Sequence, residues 1–102
     1  MKEIILPSTE ELVEINQRLG GKVLKPGSLD ILITKIERRK LKQTEANFKK
    51  YLSCIAAILW HDIIQLHPFL DGNKRTATEA VQLLLYKNGF GLKATNAGLV
   101  YT

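Results

Sequence analysis

A single cysteine, Cys54, is all the sequence contains, so no disulfide framework can form and a reducing compartment, the cytoplasm, is expected. Long hydrophobic runs are missing too. The longest unbroken apolar stretch runs from Cys54 to Trp60, far short of the ~20 residues that cross a bilayer, and no membrane association is expected. The N-terminus, Met1-Lys2-Glu3-Ile4-Ile5-Leu6-Pro7, has only a brief apolar patch followed by acidic residues, and does not read as a signal peptide. There is no internal repeat, low-complexity tract or interdomain linker. The 102 residues suffice for one hydrophobic core and not two, so residues 1–102 are read as one domain. With 45% hydrophobic and 25% charged residues the composition is ordinary for a globular protein, which excludes disorder over most of the length.

What the chain does have is positive charge. Fifteen Lys and Arg stand against ten Asp and Glu, a formal net charge of +5, which favours anionic partners. The excess is uneven: Arg38, Arg39, Lys40, Lys42, Lys49 and Lys50 crowd into one region. Such a run reads first as a solvated helix face, and second as a docking surface for an acidic partner. Nucleic acid is not expected, because no aromatic platform or recognition-helix pattern accompanies the charge.

Apolar periodicity predicts four helices and no convincing alternating strand. Ser8 and Glu11 have capping-box spacing. Leu12, Ile15 and Leu19 follow at helical intervals, and Gly20-Gly21 ends the first helix. Lys22 to Gly27 reads as a connector with a turn at Pro26-Gly27. Ser28 is the candidate cap of a second helix carrying Leu29, Leu32, Ile33 and Ile36, which runs out into the basic segment. Thr44 is the candidate cap of a third, on which Phe48, Leu52, Ile55, Leu59, Ile63 and Leu66 keep a helical period. Ile58, Trp60 and Ile64 add apolar surface on its other sides, so this helix is expected at the centre of the core, with Cys54 and Trp60 buried in it. A fourth helix begins near Asn73 and stops at Asn88-Gly89; the thirteen residues after Gly89 are too short and mixed to assign. The expected architecture is a compact all-α domain.

Between the two most apolar helices lies the one segment that core packing does not explain: His67-Pro68-Phe69-Leu70-Asp71-Gly72-Asn73-Lys74-Arg75. Pro68 disfavours helical geometry at His67, so the third helix should end there and leave the imidazole on a loop. Phe69 is expected to anchor the loop in the core. Asp71-Gly72 reads as a turn, with glycine allowing close approach to the backbone, and Asn73 as a cap of the fourth helix. The free N–H groups of that helix's first turn form the positive end of its dipole. Lys74 and Arg75 are mildly unfavourable there unless an anion sits between them, and an Asp or Glu would otherwise suit the position better. Backbone donors, dipole and cations together describe a phosphate site. Asp71 is placed to hold Mg²⁺ on those phosphates, and histidine is the side chain best suited to take a proton near neutral pH. The bland alternative is an ordinary turn, a helix cap and an exposed histidine. His61-Asp62 has the look of a metal phosphohydrolase pair, but the further histidine ligands that chemistry needs are missing, since His67 is the only other one.

The run HPFLDGNKRTA, His67 to Ala77, resembles the signature of the Fic/Doc superfamily and specifically its Doc (death-on-curing) branch. The general pattern, H-x-F-x-D/E-G-N-G-R-x-x-R, is met at His67, Phe69, Asp71, Gly72, Asn73 and Arg75. Outside the motif the likeness is weaker: Gly20 to Ile33 looks like the segment leading into that family's second helix, and Val81 to Gly89 like the helix after the motif. The resemblance implies a helical Fic/Doc-type domain with the motif loop between two central helices. It implies His67 as base, Asp71 as Mg²⁺ ligand, Asn73, Lys74 and Arg75 as phosphate holders, and Gly72 as the point of close backbone approach. Two positions depart from the general pattern. Lys74 stands where it has glycine, and Thr78 where it has a second arginine. The glycine and second arginine of the general pattern are implied to seat the phosphates for AMP transfer, whereas lysine in place of the glycine is the Doc pattern, which implies ATP as donor and transfer of its γ-phosphate. Such a toxin is implied to phosphorylate a hydroxyl of a translation factor, elongation factor Tu, and to halt translation. The alternatives are AMP or other nucleotidyl transfer to a protein hydroxyl, and an inactive remnant that still binds nucleotide or antitoxin. Lys22 to Gly27 would match the flap that aligns the target segment, with a plain surface loop as the other reading. No internal inhibitory S/T-x-x-x-E-G/N motif is present, as Leu12 and Val13 stand where the glutamate would follow Ser8 and Thr9, so a separate antitoxin is the expected partner. Doc proteins usually continue for a helix or two beyond the Asn-Gly after the motif helix, and the chain is expected to be short at that end.

Overall fold

The first helix, α1 (Thr9–Arg18), begins where its capping box places it. Ser8 Oγ accepts the Glu11 N–H at 3.1 Å, and the Ser8 N–H donates to Glu11 Oε1 at 2.9 Å. The same carboxylate reaches across to the end of the last helix, where Lys87 Nζ lies 3.0 Å from Glu11 Oε2. Partial burial pushes the Glu11 carboxyl up, but the Ser8 N–H and the Lys87 ammonium outweigh it and hold the group below its ordinary 4.5. Folding therefore favours the ionised form. Its contribution is complete above that ordinary value and is lost as pH falls through the lowered one. Glu11→Gln is expected to melt below the wild type at neutral pH, with the gap closing as the pH is taken beneath 4.5. Ser8→Ala is expected to lose about 1 kcal/mol of stability at neutral pH, read from urea denaturation.

In this computed structural model the described residues are 2–39, 44–90, 92–95 and 98–101. Three further helices, α2 (Pro26–Arg39), α3 (Glu45–Leu66) and α4 (Asn73–Lys87), complete the expected four, and the domain is all-α. One of these boundaries moves. Pro26-Gly27 is not a turn before α2 but its first turn, and Ser28 lies inside the helix, its N–H bonded to Lys25 O at 3.0 Å. Proline suits that position because the first helical N–H has no acceptor in any case and the ring presets a helical φ. Thr44 stands at the cap of α3, but its side chain makes no capping bond. Lys40 and Lys42 of the basic segment lie outside the described residues, while Arg38, Arg39, Lys49 and Lys50 are exposed.

The core is built from one stripe of each helix. Leu12 and Ile15 of α1, Leu29, Leu32 and Ile36 of α2, Phe48, Leu52, Ile55, Leu59 and Ile63 of α3, and Ala77, Ala80, Leu84 and Leu85 of α4 are all buried. α3 packs on both α2 and α4, and the small Ala77 and Ala80 allow α4 a close approach. Those two neighbours do not cover α3 all round. Cys54 and Trp60, expected in the core, are exposed, the Trp60 indole N–H lying against Thr78 of α4 at 3.4 Å, and Leu66 at the helix end is 39% exposed.

Ahead of α1, Ile4 and Leu6 insert into the core. The segment is tied down by Asn88, whose Oδ1 accepts the Ile5 N–H and whose Nδ2 donates to Ile5 O, both at 2.8 Å. The unassigned tail contains a short hairpin, β1 (Leu92–Thr95) antiparallel to β2 (Gly98–Tyr101), in register Leu92↔Tyr101 to Thr95↔Gly98. Four residues per strand are too few for alternation to stand out in a sequence. No described helix is long and apolar enough to cross a membrane.

Candidate phosphate-binding site at the start of α4

α3 gives way to the loop as Pro68 requires. It ends at Leu66, and His67 takes the left-handed conformation at φ 46° and ψ 55°. Histidine is among the few side chains that enter this region with any frequency. The following residues are pinned from two sides. Phe69 is 1% exposed and anchors the loop in the core as expected. On the other side, the Lys22-to-Lys25 connector pairs with the loop backbone. Val23 and Phe69 form an antiparallel bridge, Leu70 N–H donates to Lys22 O at 2.8 Å, and Pro68 O accepts from Leu24 at 2.8 Å and Lys25 at 3.1 Å.

Asn73 closes the loop on itself. Its Oδ1 accepts the Phe69 N–H at 3.1 Å and its Nδ2 donates to Phe69 O at 2.9 Å, while the same Nδ2 lies 3.5 Å from His67 Nδ1. That last contact is at the limit of hydrogen bonding and steers the imidazole more than it holds it. The helix cap is accordingly not Asn73 but Gly72, at φ 75°. A side chain there would be strained, and its Cβ would face Asn16 Nδ2 at 3.5 Å. Asp71 turns its carboxylate back so that Oδ1 accepts the Gly72 N–H at 2.8 Å.

The first bond closing α4 runs from Thr76 N–H to Gly72 O at 2.8 Å. The N–H groups of Asn73, Lys74 and Arg75 therefore stand at the helix start without an intrahelical acceptor, at the positive end of the dipole. The first turn has no acidic residue. Lys74 and Arg75 are exposed, and neither forms an ion pair among the described residues. With Thr78, Glu79 and Gln82 they line a cavity of about 330 Å³, within the usual size of ligand clefts. His67 and Asp71 stand exposed on the loop itself and do not line it. Thr78 is engaged locally: its Oγ donates to Lys74 O at 3.0 Å and receives the Trp60 indole N–H at 3.4 Å.

The donor set suits a metal that arrives with phosphate. Among the described residues no group of three or more His, Cys, Asp or Glu side chains could hold an ion alone. One exposed carboxylate beside a phosphate cradle matches the habit of Mg²⁺, which takes one or two carboxylates and completes its shell with phosphate oxygens and water. The His61-Asp62 pair has no such role in view. His61 Nδ1 lies 3.4 Å from Asp62 Oδ1, and Asp62 Oδ2 is 3.2 Å from Lys35 Nζ.

One residue at the site escaped the sequence reading. Asn16 of α1 is fully buried, and its Nδ2 donates to Asp71 O and to Thr76 Oγ, each at 3.0 Å. The available signal was its spacing, four residues after Leu12, which puts a polar side chain on the apolar stripe of α1.

An all-α domain that presents a helix start, two unpaired cations and a histidine on one loop has the build of a phosphate-handling protein. The sequence pattern of the Fic/DOC family matches residues 7–85, and the chain belongs to that family. Its members are typically transferases acting on protein hydroxyls, and generally use ATP and a metal ion. No curated protein and no solved structure matches the chain.

Proposed function

We propose that the chain is a Doc-branch phosphotransferase that moves the γ-phosphoryl group of ATP onto a protein hydroxyl. The observation that carries this reading is the pair Lys74 and Thr78. The lysine adds a cation at the start of α4 where AMP-transferring relatives have glycine. Thr78, in the place of their second arginine, turns its hydroxyl to Lys74 O and Trp60 and offers no charge to a phosphate.

In the proposed reaction the target hydroxyl oxygen attacks the γ-phosphorus as the bond to the β–γ bridging oxygen breaks, and ADP leaves. His67 takes the hydroxyl proton. Gly72 lets the phosphates approach the backbone, and the N–H groups of Asn73, Lys74 and Arg75 with the two cations hold them. Asp71 would hold Mg²⁺, whose chemistry there is to offset phosphate charge. Asn73 also acts through its amide, which fixes the loop that carries His67. The 22–25 connector, bonded along the motif, is in place to align a target segment as a flap.

The target in this reading is a translation factor such as elongation factor Tu, the setting is the cytoplasm, and a cognate antitoxin is the inhibitor. ATP labelled on its α- or γ-phosphate, incubated with cell extract, tests the reaction. Label is expected on protein from the γ position alone. Label from the α position alone would replace this reading with AMP transfer.

A further inference from the structure

Among the described residues, two polar side chains are buried, Asn16 and Thr76, and they are bonded to each other. Asn16 comes from α1, Thr76 from the first turn of α4. The second Asn16 hydrogen bond goes to Asp71 O, in the turn just before that helix. One amide thus grips the phosphate loop at two points, from 55 and 60 residues away in sequence.

The amide is poorly suited to packing alone. Asn16 Oδ1 is buried without a hydrogen-bond partner among the described residues, which is unfavourable in a core, and a leucine at this point in the stripe would avoid it. The space around it is also specific. A Cβ on Gly21 would lie 2.5 Å from both Asn16 Cγ and Nδ2, an overlap only glycine avoids. Gly21 and Asn16 are further joined by the Gly21 N–H, which donates to Asn16 O at 2.9 Å.

We propose that Asn16 is a positioning residue for the phosphate loop. By holding Asp71 O it sets the turn from which the Asp71 carboxylate and the Gly72 backbone project. By holding Thr76 Oγ it sets the pitch of the first turn of α4 against α1. Its effect on nucleotide rests on the phosphate reading of the loop; its effect on loop geometry does not.

Asn16→Asp removes the two donors at nearly unchanged volume, and Asn16→Leu removes them with the same branching and a larger apolar side chain. Thr76→Val removes the other partner and Thr76→Ser restores it. Three measurements are made on each: thermal melting, hydrogen exchange at the Thr76 amide without ligand, and Mg·ATP affinity by titration. Asn16→Leu is expected to stay folded, with Thr76 exchange faster and Mg·ATP affinity weaker by about tenfold or more, the scale on which outer partners of a site act. Thr76→Val is expected to follow it and Thr76→Ser to resemble the wild type. Folded Asn16→Leu or Thr76→Val with unchanged exchange and affinity overturns the proposal. If Asn16→Leu fails to fold, the contrast between Thr76→Val and Thr76→Ser decides in the same way. If the wild type does not bind Mg·ATP but exchange responds as expected, the positioning role stands and the nucleotide reading falls.

Discussion

His67→Ala is expected to abolish transfer of label from ATP while leaving a folded domain. The imidazole is exposed and contributes nothing to the core, so its removal costs packing little. Its backbone lies in the left-handed region, and alanine has no better claim to that region than histidine. His67→Asn is therefore the informative companion, since asparagine tolerates the same φ and ψ but cannot accept a proton at neutral pH. Both variants are expected to lose about 10²–10⁴-fold in rate, the usual share of a positioned general base. Mg·ATP affinity should stay close to wild type, because the groups proposed to hold the phosphates lie beyond the loop closure, at Gly72 to Arg75. Single-turnover transfer and nucleotide titration read the two separately. Undiminished transfer in the asparagine variant would remove His67 from the chemistry.

The largest loss of stability is expected from Phe69→Ala. The ring is 1% exposed and sits in the middle of the motif. Truncating a buried phenylalanine leaves a cavity, and the usual loss is about 3–5 kcal/mol, a large part of the roughly 5–15 kcal/mol that holds a typical domain together. Here the damage reaches the site as well. The Phe69 N–H and C=O are the two groups that Asn73 clasps, and Phe69 is the partner of Val23 in the connector bridge. A loop released from its anchor loses both. Urea denaturation measures the first effect. Phe69→Leu, which refills most of the volume, is expected to recover the larger share of stability and with it nucleotide binding.

How much of this was legible in the sequence depends on how far apart the partners lie. The Ser8–Glu11 box and the break at His67-Pro68 are set by neighbours, and both stand where local rules put them. The proposed site residues fall within one nine-residue stretch, from the end of α3 into the first turn of α4, so nearness in sequence alone brings them to one end of α4. Where one local pattern allows two outcomes, the reading failed: Pro26-Gly27 is as good a helix start as it is a turn. Cys54 and Trp60 were misplaced for another reason. An apolar residue on a helix carries no record of how many neighbours the helix will have, and α3 has too few to cover every face. Asn16 and the Val23–Phe69 bridge depend on contacts more than 40 positions apart, which no window along the chain can register.

The clasp between Asn88 and Ile5 has a consequence for the order in which the molecule is finished. Synthesis runs from N- to C-terminus, so residues 4 to 6 leave the ribosome before the four helices, yet the amide that clasps Ile5 is carried 83 positions later. Until Asn88 has emerged at the end of α4, the Ile5 backbone lacks both of these hydrogen bonds. The segment ahead of α1 is thus made early and clasped late. The motif loop, which precedes Asn88, is already outside the tunnel by the time that clasp can form.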